Sequence, residues 1–418
     1  SLLLFLVSFQ SMASSEVLES VLESIPGEHE FGARSRFQDA NDPWWGDATA
    51  WTTRIKVTSK FSLDEDEQWQ LLVQPNFVAV HNDNYNSIAI MKRASPIPDT
   101  EGFSLTQANF SYQSEGNWQA KVGRQSLSYD NERMVGALEY WQTPQSFDAI
   151  TFQYNDQINW RVQYAYSNKV HRIFGKDSTK NLPKEDIRYG LFARPAFELG
   201  QHQLNASLLN VEYKTDDNLK IVAYNYLIDN KDYSPYSTKT TGLRLSDEFK
   251  PGRLKYAYTA EYAWQQSAYD NPVNYQVWYN LLEASVQYKS HILQIGQETL
   301  SNDKGFGFQT ALGTNHKFQG WADVFDAYAA QRGVRDTFVS YRGRKNKLRW
   351  RIVYHDFNSY GGNARMGYEI DLELAYRFNR KWEVKFVHAD YHTKDKQAAI
   401  PSANFDLKTW FISVAYNI

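Results

Sequence analysis

The sequence predicts an all-β chain closed into an antiparallel transmembrane β-barrel of about 18 strands, with short periplasmic turns and long extracellular loops. Three observations predict it. Beyond residue 30, apolar and polar residues alternate with period 2 along most of the chain. Aromatic residues make up 16% of the 418 residues, yet mean hydropathy is −0.61, the combination expected of aromatic girdles around a wet interior. Finally, no stretch approaches the roughly 18 uninterrupted apolar residues that a membrane-crossing helix needs. A chain of this kind spans a bilayer only as a closed barrel, because an open strand edge leaves backbone groups unpaired in lipid.

The N-terminal region reads as two pieces ahead of the barrel. Leu2 to Val7 form a short apolar run and Ser11-Met12-Ala13 a small-x-small site, so residues 1–13 read as the remnant of a secretory signal. Residues 14–30 follow as a periplasmic or lumenal segment. Within it Val17, Leu18, Val21, Leu22 and Ile25 fall at helical spacing between Glu16, Glu19 and Glu23. The barrel is expected over 31–418.

Alternation places strands at 31–39, 49–62, 68–82, 103–114, 117–127, 147–155, 158–167, 201–213 and 219–229, then at 239–247, 253–267, 274–288, 291–299, 335–343, 347–357, 366–378, 381–393 and 405–418. Short connections such as Glu115–Gly116 and Lys289–Ser290 alternate with long ones, of which 83–102, 128–146, 168–200 and 300–334 are the longest. Residues 186–197 also carry a strand pattern. They are kept within the 168–200 loop, since counting them would leave the termini on opposite sides. The last strand is the clearest: Trp410, Ile412, Val414, Tyr416 and Ile418 share one face, while Phe411, Ser413, Ala415 and Asn417 share the other.

Parity then assigns an inward set. Arg34, Arg36, Arg54, Lys56, Arg161, Arg244, Arg349 and Arg351 face the lumen, as do Glu261, Glu298, Glu369 and Asp371. The surplus is basic, and a confined cationic path favours anions over cations. Arginine suits a carboxylated sugar or organic acid because its planar fork pairs a carboxylate through two hydrogen bonds. The plainer alternative is that these charges pair with one another to stiffen the wall. The cluster Arg34, Arg36, Arg54 and Lys56 resists that alternative, since its neighbouring strands carry few inward acids.

Several stretches resemble the alginate-export family of outer-membrane channels. Gly123-Arg124-Gln125, then Asp130-Asn131-Glu132-Arg133, then Trp141 and Phe147-Asp148-Ala149 are similar to that family's GRQ…ER…W…FDG region. The run from Leu312 to Asp323 resembles its long-loop motif, and Tyr354-His355-Asp356-Phe357 is also similar. The resemblance implies a monomeric 18-stranded barrel with an arginine-rich pore that passes a polyuronate. It further implies that Arg124, Glu132, Arg133 and Asp148 belong to a loop folded into the pore. Arg124 shares parity with outward Trp118 and Val122, so a bulge at Gly123 would be needed to turn it inward.

Other functions fit poorly. The nine His are scattered and no metal-binding spacing such as HExxH occurs, so neither an enzyme nor a metal or other cofactor is expected. The acidic runs at Asp64–Glu67 and Asp216–Asp217 read as solvated turns rather than calcium loops. The net charge of −3 offers nothing to nucleic acid. Trp44, Trp45 and Trp321 are expected in exterior loops. The sequence therefore points to a channel in the outer membrane of a Gram-negative cell. Its surroundings would be membrane lipid and lipopolysaccharide, and its cargo an alginate-like anionic carbohydrate or an organic acid moving passively. A general small-solute porin and a loop-plugged, partner-binding scaffold are the alternatives.

Overall fold

A computed structural model describes residues 15–89, 92–179, 196–325, 332–362, 364–396 and 401–418. Eighteen strands form one sheet: β1 (Glu28–Asn41), β2 (Ala48–Ser62), β3 (Trp69–Asn84), β4 (Gly102–Gln113), β5 (Trp118–Gln125), β6 (Ser146–Asn155), β7 (Trp160–His171), β8 (Gln201–Lys214), β9 (Lys220–Asn230), β10 (Thr238–Phe249), β11 (Leu254–Ser267), β12 (Gln276–Tyr288), β13 (His291–Leu300), and, after a two-rung hairpin β14–β15 (Asn302–Asp303 and Phe306–Gly307), β16 (Val334–Lys345), β17 (Leu348–Ser359), β18 (Arg365–Arg377), β19 (Trp382–Thr393) and β20 (Leu407–Asn417). Every pairing is antiparallel and joins consecutive barrel strands. The sheet closes where β1 lies between β2 and β20, with Gly32 opposite Asn417 and Asn41 opposite Lys408. Reciprocal backbone bonds of 2.9 and 3.0 Å between Phe31 and Ile418 extend that seam to the last residue. Each expected strand has its counterpart. The signal-like residues 1–13 and residues 186–195 of the ambiguous strand pattern lie outside the described residues. Helix α1 (Ser15–Ser24) occupies the amphipathic N-terminal stretch, and Glu19 pairs with Lys381 beside the seam.

Alternation dictates what each wall face carries. Leu282, Ile295, Phe103 and Ile352 point outward and stay exposed. At the short-turn end the outward face carries a repeated pair: a Trp just after a turn sits opposite a Tyr on the next strand. Trp69–Tyr112, Trp160–Tyr213 and Trp382–Tyr416 have ring centroids 4.6 Å apart, and Trp118–Tyr154 4.8 Å. Such pairs contribute about 0.5–1.5 kcal/mol each beyond their buried area.

Turn chemistry explains why that end is tight. Asn117, Gln157, Asn218, Lys289 and Asn346 each adopt φ between 53° and 71°, the left-handed geometry that matches the twist of a hairpin. Asp156 accepts backbone N–H bonds from Ile158, Asn159 and Trp160 through one oxygen, each at 2.9 Å. Asp64 does the same for Trp69 at 2.8 Å, so the acidic run there serves the turn. Pro75, which has no N–H to give the ladder, sits at a break in the β3–β4 register.

Candidate functional site

Two long loops turn back into the barrel and meet there. Residues 126–145 leave β5 and return to β6; residues 301–325 leave β13. Gly136 N–H donates to Leu312 O at 3.0 Å, and Thr314 N–H to Glu132 O at 3.0 Å. The Gln145 amide donates to both Gly136 O and Leu312 O at 2.9 Å. Backbone approaches backbone so closely that a Cβ on Gly313 would lie 2.0 Å from Arg133 O.

Such loops can stay inside only if their apolar side chains find apolar ground. Leu127, Tyr129, Val135, Phe308, Leu312 and Phe325 form one buried cluster with Leu208, Tyr224, Tyr226, Tyr279, Phe357 and Tyr391 of the wall. Phe325 lies 4.4 Å from Phe357, centroid to centroid. This corrects the expectation of a wet lumen: inward positions toward the loop end are dry, aliphatic on β8 (Leu204, Leu208) and aromatic on β9, β12, β17 and β19. It also corrects the placement of Trp321, which is not an exterior residue. Its ring lies under the Arg351 guanidinium at 5.4 Å.

Arg133 anchors both loops. Fully buried, it pairs with Glu298 of β13 at 2.8 Å and donates to Asn315 Oδ1 at 2.9 Å and Thr314 O at 3.2 Å. Arg244 is likewise absorbed by the wall, 2.5 Å from Glu261, which also accepts the Tyr224 hydroxyl at 2.8 Å.

The expected basic cluster does gather on β1 and β2, with Arg34 opposite Arg54 in register. Its acids come from the loops, which corrects the inference from strand neighbours alone. Arg36 pairs with Asp99 of the β3–β4 loop, and both are almost fully buried. Asp99 also accepts the Thr52 hydroxyl at 3.0 Å and the Gln142 N–H at 3.2 Å. Tyr140, Trp141 and Phe411 surround the Arg36 guanidinium at 5.3–5.5 Å. Arg34 spends its donors on Tyr140 O, Trp141 O and Gln142 Oε1, at 2.9, 2.7 and 3.0 Å. Burial pushes the Tyr140 phenol well above its ordinary range, keeping it neutral beside these cations.

Arg54 is left facing a pocket of about 420 Å³ that Arg34, Arg36, Glu139, Tyr140, Glu383 and Lys385 also line, and Lys56 stands beside it. Glu139 lies 3.6 Å from Arg54 and 3.3 Å from Lys56. Toward the short-turn end the lumen continues basic. Arg349 is half exposed and 2.5 Å from Glu383. Arg351 faces Arg342 across β16 and Glu373 across β18, and Arg344 faces Arg349. Arg161, exposed near the start of β7, lies opposite Glu212.

Arg124 is the misplaced residue. Its strand pairs without a register shift, so it stays on the outward face with Val122. There it pairs with Asp148 at 2.8 Å, and His171 reaches the same carboxylate at 2.9 Å. The expected bulge falls instead on Asp148, between β6 and β7. Of the four loop residues the resemblance implied, Glu132 and Arg133 enter the lumen, while Arg124 and Asp148 do not. Asp99, Glu139 and Arg344 were missed. Arg344 needed only the alternation of β16 carried past Gly343; the two acids sit in aperiodic loops that give no parity signal.

The chain is thus a closed 18-stranded antiparallel barrel whose lumen holds two infolded loops and a basic wall. Solved structures with the same fold include members of the Occ group. OccAB2 of Acinetobacter baumannii superposes with a TM-score of 0.69 at 13% identity, covering 93% of this chain and 97% of that one. OpdK of Pseudomonas aeruginosa, solved with vanillate, gives 0.68 at 11% over 93% and 98%. OccK2 (OpdF) of the same organism, in complex with glucuronate, gives 0.64 at 13% over 95% and 98%. No family model matches the chain, and no curated protein does. The expected likeness to the alginate-export family in particular is not supported; the likeness found is one of barrel fold.

Proposed function

We propose that the chain is an outer-membrane channel of a Gram-negative bacterium that passes small organic anions, uronates and other carboxylates, passively along its basic wall. The observation that carries this reading is the arrangement of Arg34, Arg54 and Lys385 around one pocket, with Lys56 beside it, continued toward the short turns by Arg351, Arg342, Arg349 and Arg344. Guanidinium and ammonium groups along a confined path replace the water that a carboxylate sheds on entry. The exposed apolar outer belt supports the membrane assignment, since a band of this kind is not stable in water. The fold neighbours, two of them solved with an organic acid (vanillate and glucuronate), support a passive channel for solutes of that class. An alginate-like oligouronate extends the same chemistry to a longer substrate.

The test is conductance in planar bilayers. Wild-type barrels should be anion-selective, and glucuronate should saturate the current. Arg54→Glu or Arg351→Glu should cut anion selectivity severalfold or reverse it. Equal permeability to cations and anions in the wild type would reassign the chain as a general porin. Absence of any current would favour a plugged scaffold, the reading that the dry loop cluster supports.

A further inference from the structure

Among the carboxylates that line the pocket or pair with the cations lining it, Glu139 differs from the rest in what holds it. The Asp99 carboxylate is buried under Arg36, Thr52 and the Gln142 N–H. Glu383 stands on the wall strand β19 between Arg349 and Arg377. Glu139 projects from a loop as Asp99 does, but of the three only its side chain is half exposed, and it reaches two cations only loosely, at 3.3 and 3.6 Å. Nothing else fixes its carboxylate among the described contacts, whereas its backbone is held firmly. Its own carbonyl and those of Tyr140 and Trp141 all accept from Arg34. The preceding Leu138 adopts φ 53°, an unfavourable geometry for a branched side chain, and Trp141 N–H closes a turn onto Leu138 O at 3.2 Å. The loop is therefore built to present this one carboxylate to Arg54 and Lys56.

We infer that Glu139 is a tethered stand-in for the permeating anion: its carboxylate occupies the Arg54–Lys56 site when no solute is bound, and an arriving carboxylate must displace it. This rests on the channel reading above and deepens it. A tethered group competes at an effective concentration of order millimolar. The apparent affinity for solute falls by the fraction of time the site is free, so a site that Glu139 fills nine-tenths of the time binds about tenfold more weakly. The competitor sets a threshold. Solute leaves readily because Glu139 takes its place, and the cations are never left unpaired in the pocket. Chemically, the exchange is one ion pair for another, with no proton or covalent bond transferred.

Two substitutions separate this from simple electrostatics. Glu139→Gln removes both the charge and the competitor. Glu139→Asp keeps the charge but draws the carboxylate back by about one methylene, which loosens contacts already beyond 3 Å. The probe is sodium glucuronate, and the readout is the half-saturating concentration of its current through single barrels in a planar bilayer. Competition predicts that Glu139→Gln lowers that concentration about tenfold and that Glu139→Asp lowers it severalfold. If Glu139→Asp matches the wild type, only the local charge matters and the stand-in role is overturned; an unchanged Glu139→Gln overturns it as well. In either case a saturating, anion-selective wild type leaves the channel reading standing. A wild type that never saturates with glucuronate removes both. The exposed position of Glu139, in a loop anchored separately by Arg133 and Gln145, keeps both variants foldable.

Discussion

Arg36 and Asp99 bring opposite charges together where almost no water reaches, and each is costly without the other. Removing one member of such a buried pair typically costs about 3–5 kcal/mol, because the survivor keeps its charge without a partner. Asp99→Ala should therefore destabilise the seam region by about that amount, with a clear drop in the temperature at which the folded barrel unfolds in detergent. Replacing both residues with apolar ones of similar size should recover most of the loss. Thr52→Val, which removes one minor donor to Asp99, should cost far less. At this scale the sequence was half legible. Alternation with period 2 put Arg34, Arg36, Arg54 and Lys56 on one inward face, and they share it. It gave no means of finding Asp99 or Glu139, which reach that face from loops whose residues obey no period. Arg124 failed for a related reason: a motif likeness suggested a bulge where the backbone keeps its regular register.

At the scale of elements, two loops behave as one inserted unit. Hydrogen bonds tie 126–145 to 301–325, and Arg133 ties both to β13 through Glu298. Gly313 is the closest point, where any side chain would collide with the Arg133 carbonyl 2.0 Å away. Gly313→Val should force the loops apart without touching a barrel strand. The expected result is faster protease cleavage within both loops, an unchanged barrel melting transition and a larger single-channel conductance. A conductance equal to the wild type would mean that the loops do not narrow the path. Gly320 makes a similar approach to Glu369 and should respond in the same direction. The infolding itself was expected for residues 128–146 only through a resemblance. Length and composition mark a loop but do not say which way it folds; the apolar inward residues of β8, β9 and β12 decide that, and parity alone marks them as lumenal without saying that they are dry.

Across the whole molecule, the eighteen strands and their order followed from alternation because a barrel wall has lipid on one side along every strand, so the period never lapses. The short turns carry a further pattern that belongs to no single strand. On the half of the rim from β2 to β9 the turns hold Asp64, Glu65, Asp66, Glu67, Asp156, Asp216 and Asp217; on the half from β10 to β19 they hold Lys250, Arg253, Lys289, Lys347, Arg380 and Lys381. The mouth is therefore polar across its width, and anions entering or leaving at this end should be drawn to the β10–β19 side, which leads to Arg344 and Arg349. Exposed charges act over about 10 Å in 0.1 M salt and about 3 Å in 1 M. Neutralising Lys250, Lys289, Lys347 and Arg380 together should lower the anion current driven inward from the short-turn side at 0.1 M salt, by more than the current driven the other way, so that the barrel rectifies. At 1 M the difference should vanish, because the turns then lie beyond screening distance of the path. Equal losses in both directions, or a loss that persists at 1 M, would mean that the turn charges act on folding or on the inner wall and not on the approach of the ion. The same neutralisation applied to Asp64–Glu67 should leave the anion current nearly unchanged, since solutes drawn to the basic side pass those residues at more than a screening length.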